Sequence, residues 1–377
     1  MKKELQQKRL RSRAVATKQY AKRYAKAIRN KVTGEKQAKG HVKVDRFCLT
    51  DTELAFIQQE IEKGNKNFEK LIGFKTGELN NHSEVRVSLD TAKALIANSL
   101  PSTDITTLVT FILNHADFSV SQFIMNVNLS PEVFRDLAIL FRKVSKSTSF
   151  YLIARAKMIR PNGPIISNLF GSIADEYIAT LNVGIGVITY NRKDHLAKTV
   201  EAIKAFTTGD YQIVVADDGS KDDTVEWCEK NNVPHTNCQN KGVVRNKNRA
   251  LYYLNEVKKV DVLILLEDDC RPNKESWQKE WVIAALLWGH INYAHKRIIK
   301  KEDAVLSGTG SSTLPYLCKL VTGQCTACSK DAMDNIGYLD PRFSGYGAGH
   351  VEWTERFIRQ GYNGSTEKHW VYPAINT

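Results

Sequence analysis

The chain has 377 residues, of which 42% are hydrophobic and 25% charged, and this composition excludes a protein that is disordered throughout. Its formal net charge is +13, and the whole excess lies in residues 1–43, where fifteen Lys and Arg accompany two Glu. No apolar run reaches the ~20 residues that a membrane-spanning helix needs, and no apolar stretch follows the basic start as in a signal peptide. We therefore expect a cytoplasmic protein with a neutral body, a basic arm and no transmembrane segment.

The basic arm, residues 1–43, is predicted to be helical or disordered. Residues 14–32 lack Pro and Gly, and Tyr20, Tyr24 and Ile28 recur at helical spacing. One interpretation is a solvated tail; the other is contact with a polyanion, either nucleic acid or an anionic membrane surface. In the second case the protein would be associated with DNA or peripheral to a membrane.

Residues 44–164 are predicted to form a helical domain. Ser130, Pro131 and Glu132 are typical of a helix start, with a capping hydroxyl, a first-turn Pro and an acidic first turn. Residues 119–143 have the outline of a helix-turn-helix, which would place Arg135, Arg142 and Lys143 in a DNA groove. A plain packing bundle fits the pattern better, and the Pro and Gly residues at 161–164 mark the domain boundary.

From residue 165 to 377 the pattern alternates between apolar strands and helices. Strands are predicted at 183–189, 213–216 and 260–266, and helices at 194–206, 222–231 and 243–257. This order predicts an α/β fold with a mainly parallel sheet flanked by helices. Ligands of such folds bind at the carboxyl ends of the strands, so the polar residues there are the candidate site.

Three consecutive acids, Glu267, Asp268 and Asp269, end one of these apolar strands. Their mutual repulsion would be relieved by a hard divalent cation with oxygen ligands, Mg²⁺ or Mn²⁺. Solvated loop acids are the alternative. By contrast, the seven cysteines are scattered and odd in number, which favours free thiols, and the single CxxC pair, Cys325 and Cys328, completes no tetrahedral metal site.

Together, several segments resemble the family 2 glycosyltransferases with the GT-A fold. These are Val-Ile-Thr-Tyr-Asn-Arg at 187–192, Val-Val-Ala-Asp-Asp-Gly-Ser at 214–220, the Asn240-x-Gly242 loop with Arg245 and Asn246, the three acids followed by Pro272, and the acceptor-side segments at 323–330, 336–340 and 343–347. The resemblance covers residues 181–369, about half of the chain, and says nothing about residues 1–180.

The resemblance implies transfer of a sugar from a nucleoside-diphosphate sugar, most often a UDP-sugar, with inversion at the anomeric carbon. It implies that Thr189, Asn191 and either Asp217 or Asp218 hold the nucleoside, that Arg245 contacts the diphosphate and that Asp268 contacts the ribose or sugar. The wider predicted donor site also includes Arg192, Asn240 and Gly242. Asp269, with Glu267 and a late histidine, His369, are the implied metal ligands.

The sequence departs from the family pattern at the catalytic base. An acidic pair is usual after the Gly-rich segment, whereas this chain has Gly349 and His350 there, followed by Glu352. Either Glu352 or a neutral His350 has suitable chemistry to accept the proton of an acceptor hydroxyl, and Glu352 is preferred. The alternative role of Glu352 is an ion pair with Arg356 one helical turn on.

We therefore predict a metal-dependent, inverting glycosyltransferase. Its acceptor is either a cell-envelope glycan or a hydroxylated base in DNA, and the second acceptor would account for the basic arm. The alternative from another functional class is a catalytically inactive, transferase-like protein that binds nucleic acid or acts as a scaffold.

Overall fold

The computed structural model describes residues 124, 129–143, 145–301, 303–343, 348–360, 362 and 371–376. The predicted basic arm, nearly all of the predicted helical segment before residue 129, and His369 lie outside these residues. The described helices are α1 Pro131–Phe141, α2 Lys146–Ile159, α3 Pro164–Ile178, α4 Lys193–Phe206, α5 Thr224–Lys230, α6 Val243–Tyr252 with a π-helical continuation Tyr253–Val257, α7 Trp277–Trp288, α8 Lys296–Ile299, α9 Lys330–Ile336 and α10 Gly349–Arg359. The described strands are β1 Val183–Thr189, β2 Tyr211–Asp217, β3 His235–Asn237, β4 Val262–Glu267, β5 His290–Tyr293, β6 Val305–Ser307, β7 Tyr316–Cys318, β8 Thr322–Ser329 and β9 Tyr372–Ile375.

The described strands form one sheet in the order β3-β2-β1-β4-β8-β5-β9-β7-β6. Strands β1 to β4 pair in parallel, whereas β8 runs antiparallel to both β4 and β5. The predicted α/β class is confirmed. Parallel pairing dominates the first half of the sheet, and the second half is mixed.

The central strands are buried on both faces, which explains their continuous apolar runs. All seven residues of β1 are buried. Residues of β4 alternate between two cores: Ile264 and Leu266 pack with α4 and α7, whereas Leu263 and Leu265 pack with α6 and α10 on the opposite face. Because side chains alternate between the two faces of a strand, the position of a residue in β4 decides which helices it contacts.

A further apolar core joins the described N-terminal helices to α7. As predicted, α1 begins at Pro131, and its capping hydroxyl on Ser130 accepts a hydrogen bond from the amide of Val133 at 3.3 Å. Residues of α1, α2 and α3 pack with Ile283 and Leu287 of α7. Helix α7 therefore separates this helical layer from the sheet.

Most of the predicted helix-turn-helix, residues 119–143, lies outside the described residues apart from α1 and the positions beside it. Within the described part, Arg142 donates from Nε to Glu176 at 2.9 Å and from Nη2 to Ser172 at 2.5 Å. Both partners belong to α3, so the Arg142 guanidinium fastens two helices together. DNA contact by this segment stays a prediction.

Across the described ranges, no helix combines the length and apolar character needed to span a bilayer. The six cysteines found there are free thiols, as the sequence predicts. Cys325 and Cys328 both lie buried on β8.

Candidate functional site

The three acids at the end of β4 have different partners. Glu267 follows Leu266 and therefore faces α6, where Nζ of Lys247 lies 3.1 Å from its Oε1. Asp268 turns to the opposite side, where its Oδ2 accepts a hydrogen bond of 2.8 Å from the hydroxyl of Thr189. The acids are therefore divided between two environments instead of forming one cluster.

Arg192 holds the other two acids together. Its Nη1 lies 2.9 Å from Oδ1 of buried Asp268, and its Nη2 lies 3.1 Å from Oδ2 of exposed Asp269. Burial raises the pKa of Asp268 from its ordinary value, although the hydrogen bond from Thr189 and the charge of Arg192 oppose this shift. The guanidinium thus fixes the geometry of the strand end.

These contacts correct one step of the sequence interpretation. The repulsion among the three acids is offset by Arg192 and Lys247, so it does not by itself require a metal ion. Among the described residues there is no group of three or more His, Cys, Asp or Glu side chains arranged to hold a metal.

The turn that follows β2 is fixed by hydrogen bonds of its own residues and of the neighbouring turn after β1. Oδ2 of Asp217 accepts from the amide of Ser220 at 3.0 Å, and the Ser220 hydroxyl accepts from the amide of Asn191 at 2.7 Å. Asn191 in turn accepts from the amide of Lys221 at 2.7 Å. Gly219 adopts φ +79°, and a Cβ there would lie 2.5 Å from the carbonyl oxygen of Cys238, so only glycine fits this turn.

Asp218 connects β2 to the loop that starts α6. Its two carboxylate oxygens accept from the amides of Lys241 and Gly242 at 3.0 and 2.8 Å, and Nη2 of Arg249 lies 2.5 Å away. Asn240, immediately before these amides, is exposed. The carboxylates predicted to hold the nucleoside thus already have partners within the chain, and they fix the loops around the strand ends.

A cavity of about 490 Å³, here called the first cavity, opens beside Glu267. Its polar lining includes Lys247 from α6, Gln324 from β8, His350 from α10, His295 at the N-cap of α8 and Arg297 within α8. Lys247 is buried and also donates to the carbonyl of Gly323 at 2.7 Å. A cation, a carboxylate and an imidazole thus line one cavity at the end of β4.

Gly323 allows Lys247 and His350 to approach each other. A Cβ built on Gly323 would lie 3.0 Å from Cγ of His350 and 3.1 Å from Nζ of Lys247. The Nε2 atom of His350 lies 3.4 Å from the carbonyl oxygen of Val321. The backbone at Val321 and Gly323 therefore borders both side chains.

The two candidate bases on α10 lie in different cavities. His350 lines the first cavity, whereas Glu352 lines a second cavity and forms a 2.8 Å ion pair with Nε of Arg356. Residues two positions apart on a helix face away from each other. Arg245, the predicted diphosphate contact, is exposed and also lines the second cavity.

Sequence reasoning missed Lys247 and Gly323. Helical periodicity from the start of α6 offered a signal for Lys247, because Val243, Val244 and Lys247 recur at spacings of three and four and line the same cavity. No sequence signal identifies Gly323, since its role depends on side chains far away in the chain.

Residues 185–284 match the family model described as Glycosyl transferase family 2. No curated protein matches the chain. Similar solved structures include a mannosyltransferase from Pyrobaculum calidifontis in complex with GDP-Man and Mn²⁺ (15% identity, 56% of this chain and 61% of that chain, TM-score 0.38). Another is S. aureus TarS 1–349 (15% identity, 47% of this chain and 56% of that chain, TM-score 0.36). A third is glucosyl-3-phosphoglycerate synthase from Mycobacterium tuberculosis in complex with UDP (14% identity, 54% of this chain and 73% of that chain, TM-score 0.36).

The chain spans less than two thirds of the first two of these structures, and at TM-scores below 0.5 the likenesses add nothing to the family match. That match includes β1, β2 and β4 with the polar residues at their ends. The predicted resemblance to family 2 glycosyltransferases is thereby confirmed for residues 185–284, about a quarter of the chain.

Proposed function

We propose that the protein transfers a sugar from a nucleoside-diphosphate sugar to an acceptor hydroxyl in the first cavity. The observation that carries this proposal is the convergence of Lys247, Glu267 and His350 at the end of β4, with Gly323 between the lysine and the histidine. An ammonium suits a diphosphate leaving group. An imidazole suits removal of a proton from an acceptor.

In this proposal His350 is the base, in preference to Glu352. The acceptor oxygen attacks the anomeric carbon as His350 takes the hydroxyl proton. The bond from that carbon to the diphosphate oxygen breaks, and the nucleoside diphosphate leaves with the electron pair. Attack from the side opposite to the leaving group inverts the anomeric configuration.

Lys247 is the proposed diphosphate contact, in place of Arg245. It is held between Glu267 and the Gly323 carbonyl, so its ammonium is positioned before the substrate binds. The predicted nucleoside contacts, Thr189 and Asp218, then act chiefly by fixing the loops that border the donor.

The carboxylate of Asp269 fits a divalent cation that is shared with the donor. Asp269 is exposed, and its contact with Arg192 uses only Oδ2. Mg²⁺ is commonly bound by one or two carboxylates together with substrate phosphates, so three protein ligands are not required. When bound, such an ion would neutralise charge that develops on the leaving diphosphate.

Thermal unfolding with a panel of UDP- and GDP-sugars in the presence of Mn²⁺ tests donor binding. The proposal expects at least one nucleotide sugar to raise the melting temperature of the wild-type protein, with a smaller shift for Lys247→Ala. The absence of any shift across the panel, or equal shifts in the two proteins, would count against it. Determination of the anomeric configuration of a product by NMR then tests inversion.

A further inference from the structure

The second cavity lies between α6, residues 338–342 and α10, and its volume is about 880 Å³. Five cationic side chains line it: Lys241, Arg245, Arg249, Arg342 and Arg356. Its lining includes two carboxylates, those of Asp340 and Glu352, so the net charge of the lining is +3. Residues 44–377 have no net charge, so this concentration is a local feature of the fold.

The five cations differ in how they are held. Arg249, Arg342 and Arg356 are fixed by Asp218, Asp340 and Glu352 at 2.5, 2.5 and 2.8 Å, respectively. In contrast, neither Lys241 nor Arg245 has a side-chain ion pair or hydrogen bond with another described residue. Both are exposed, and their charges are available to a ligand.

The position of these two cations is unfavourable for the helix alone. Arg245 is the third residue of α6, Lys241 immediately precedes its N-cap, Gly242, and the first turn contains no acidic residue. The partial positive charge of a helix N-terminus repels cations. A bound anion would relieve this repulsion, and local conflicts of this kind are expected at functional sites.

Two further features of the lining suit a sugar. The rings of Tyr252 and Tyr338 lie 6.3 Å apart, and Tyr252 is 57% exposed, which leaves an aromatic face for a ligand to pack on. Oε2 of Glu352 is buried and has no hydrogen-bond partner among the described residues. A ligand hydroxyl would supply the donor that this oxygen lacks.

The two cavities share one wall. Leu339 lines both, and α10 presents His350 to the first and Glu352 to the second. A molecule that reaches across this wall would place one part beside the base and another among the cations. The volume is within the range of roughly 300–1,000 Å³ that is typical of small-molecule sites, which favours a compact ligand over a duplex.

We propose that the second cavity binds a phosphate-bearing sugar of the acceptor. Lys241 and Arg245 contact the phosphate, Tyr252 packs against the sugar ring and Glu352 accepts from a hydroxyl. This inference rests on the proposed function, because it assigns the acceptor that the first cavity would glycosylate.

Isothermal titration calorimetry of the full chain with glucose 6-phosphate, and separately with glucose, tests the proposal. We expect the phosphorylated sugar to bind at least tenfold more tightly than glucose, and Lys241→Ala/Arg245→Ala to weaken its binding at least tenfold. The matched control, Lys198→Ala/Lys204→Ala, removes two exposed cations from α4 and should bind like the wild type. Phosphate bound by the basic arm would contribute equally in every variant.

Unchanged binding of glucose 6-phosphate by Lys241→Ala/Arg245→Ala would overturn the proposal. A second result would also overturn it: the wild type does not bind glucose 6-phosphate but binds a single-stranded oligonucleotide, and this binding depends on Lys241 and Arg245. The cavity would then bind nucleic acid. Failure of the proposed function is a separate result, in which the wild type releases nucleoside diphosphate from no sugar donor.

Discussion

Nζ of Lys247 lies 3.1 Å from Oε1 of Glu267 at the end of β4, and the pair borders the first cavity. The ion pair positions an ammonium that is available to a donor diphosphate. Lys247→Ala should therefore lower kcat by about 10²-fold, which is typical when one group that stabilises developing charge is removed. Steady-state release of nucleoside diphosphate measures the effect.

The matched control for this substitution is Lys198→Ala, which removes an exposed lysine on α4. It should keep wild-type turnover. If turnover of Lys247→Ala stays within twofold of the wild type, Lys247 does not contact the donor diphosphate.

Gly323→Ala is expected to impair activity more than stability. The added Cβ would lie 3.0 Å from the His350 ring and 3.1 Å from Nζ of Lys247, so both side chains would have to move. We expect kcat/KM to fall about tenfold, as reacting groups are displaced. The free energy of unfolding should change by less than about 1 kcal/mol, because the lysine end can shift.

Gly171→Ala provides the comparison. A Cβ on Gly171, within α3, meets no atom within 4 Å, so this change should stabilise the helix by roughly 0.5–1 kcal/mol and leave turnover unchanged. Equal kinetic effects of the two substitutions would show that the position of Gly323 is unimportant.

Asp269→Asn tests the proposed metal ligand. The substitution keeps the size of the side chain but removes its negative charge, so the Mn²⁺ concentration for half-maximal turnover should rise by about tenfold, a loss of about 1.4 kcal/mol in metal binding. Asp210→Asn, at an exposed position before β2, is the control. Turnover that survives chelation with EDTA would refute a metal requirement.

Burial of His290 gives the protein a specific pH dependence of stability. Burial lowers the pKa of His290 to about 3, and its Nε2 lies 3.0 Å from the Thr354 hydroxyl. Above the unfolded value of about 6.5 the histidine is neutral in both states, and its contribution is fully present. As pH falls from about 6.5 towards 3 only the unfolded state binds the proton, so stability is lost by up to about 1.4 kcal/mol per pH unit.

Urea unfolding of the wild type and His290→Phe at pH 6.5 and 4.5 measures this contribution. The wild type should lose more stability between the two pH values than the variant, which lacks the titrating ring. Identical losses would mean that His290 does not remain neutral in the folded protein.

The secondary structure of the central sheet could be predicted from sequence because its strands are continuous apolar runs. Val183–Thr189 was predicted with the observed bounds, and β4 was predicted within two residues. The start of α1 was predicted from Ser130 and Pro131, since capping chemistry is local. The pairing of β8 between β4 and β5 has no local signal and depends on distant segments.

The contacts of the polar side chains were harder to predict from the sequence. Either Asp217 or Asp218 was predicted to hold a nucleoside, and both make contacts to neighbouring loops. A carboxylate at a strand end accepts a hydrogen bond from the nearest donor, and the geometry of the loops decides which donor that is. The roles of these residues in donor binding, the contribution of His369 and polyanion contact by residues 1–43 stay predictions.

Release of nucleoside diphosphate from a panel of UDP- and GDP-sugars, with Mn²⁺ and glucose 6-phosphate present, tests nucleotide-sugar transfer in the first cavity most directly. The wild type should turn over at least one donor, and His350→Ala should lower kcat by about 10²–10⁴-fold, the usual contribution of a general base. Glu352→Gln should instead raise the KM for the acceptor with a smaller effect on kcat. No release from any donor, or wild-type kcat in His350→Ala, would contradict the proposed function.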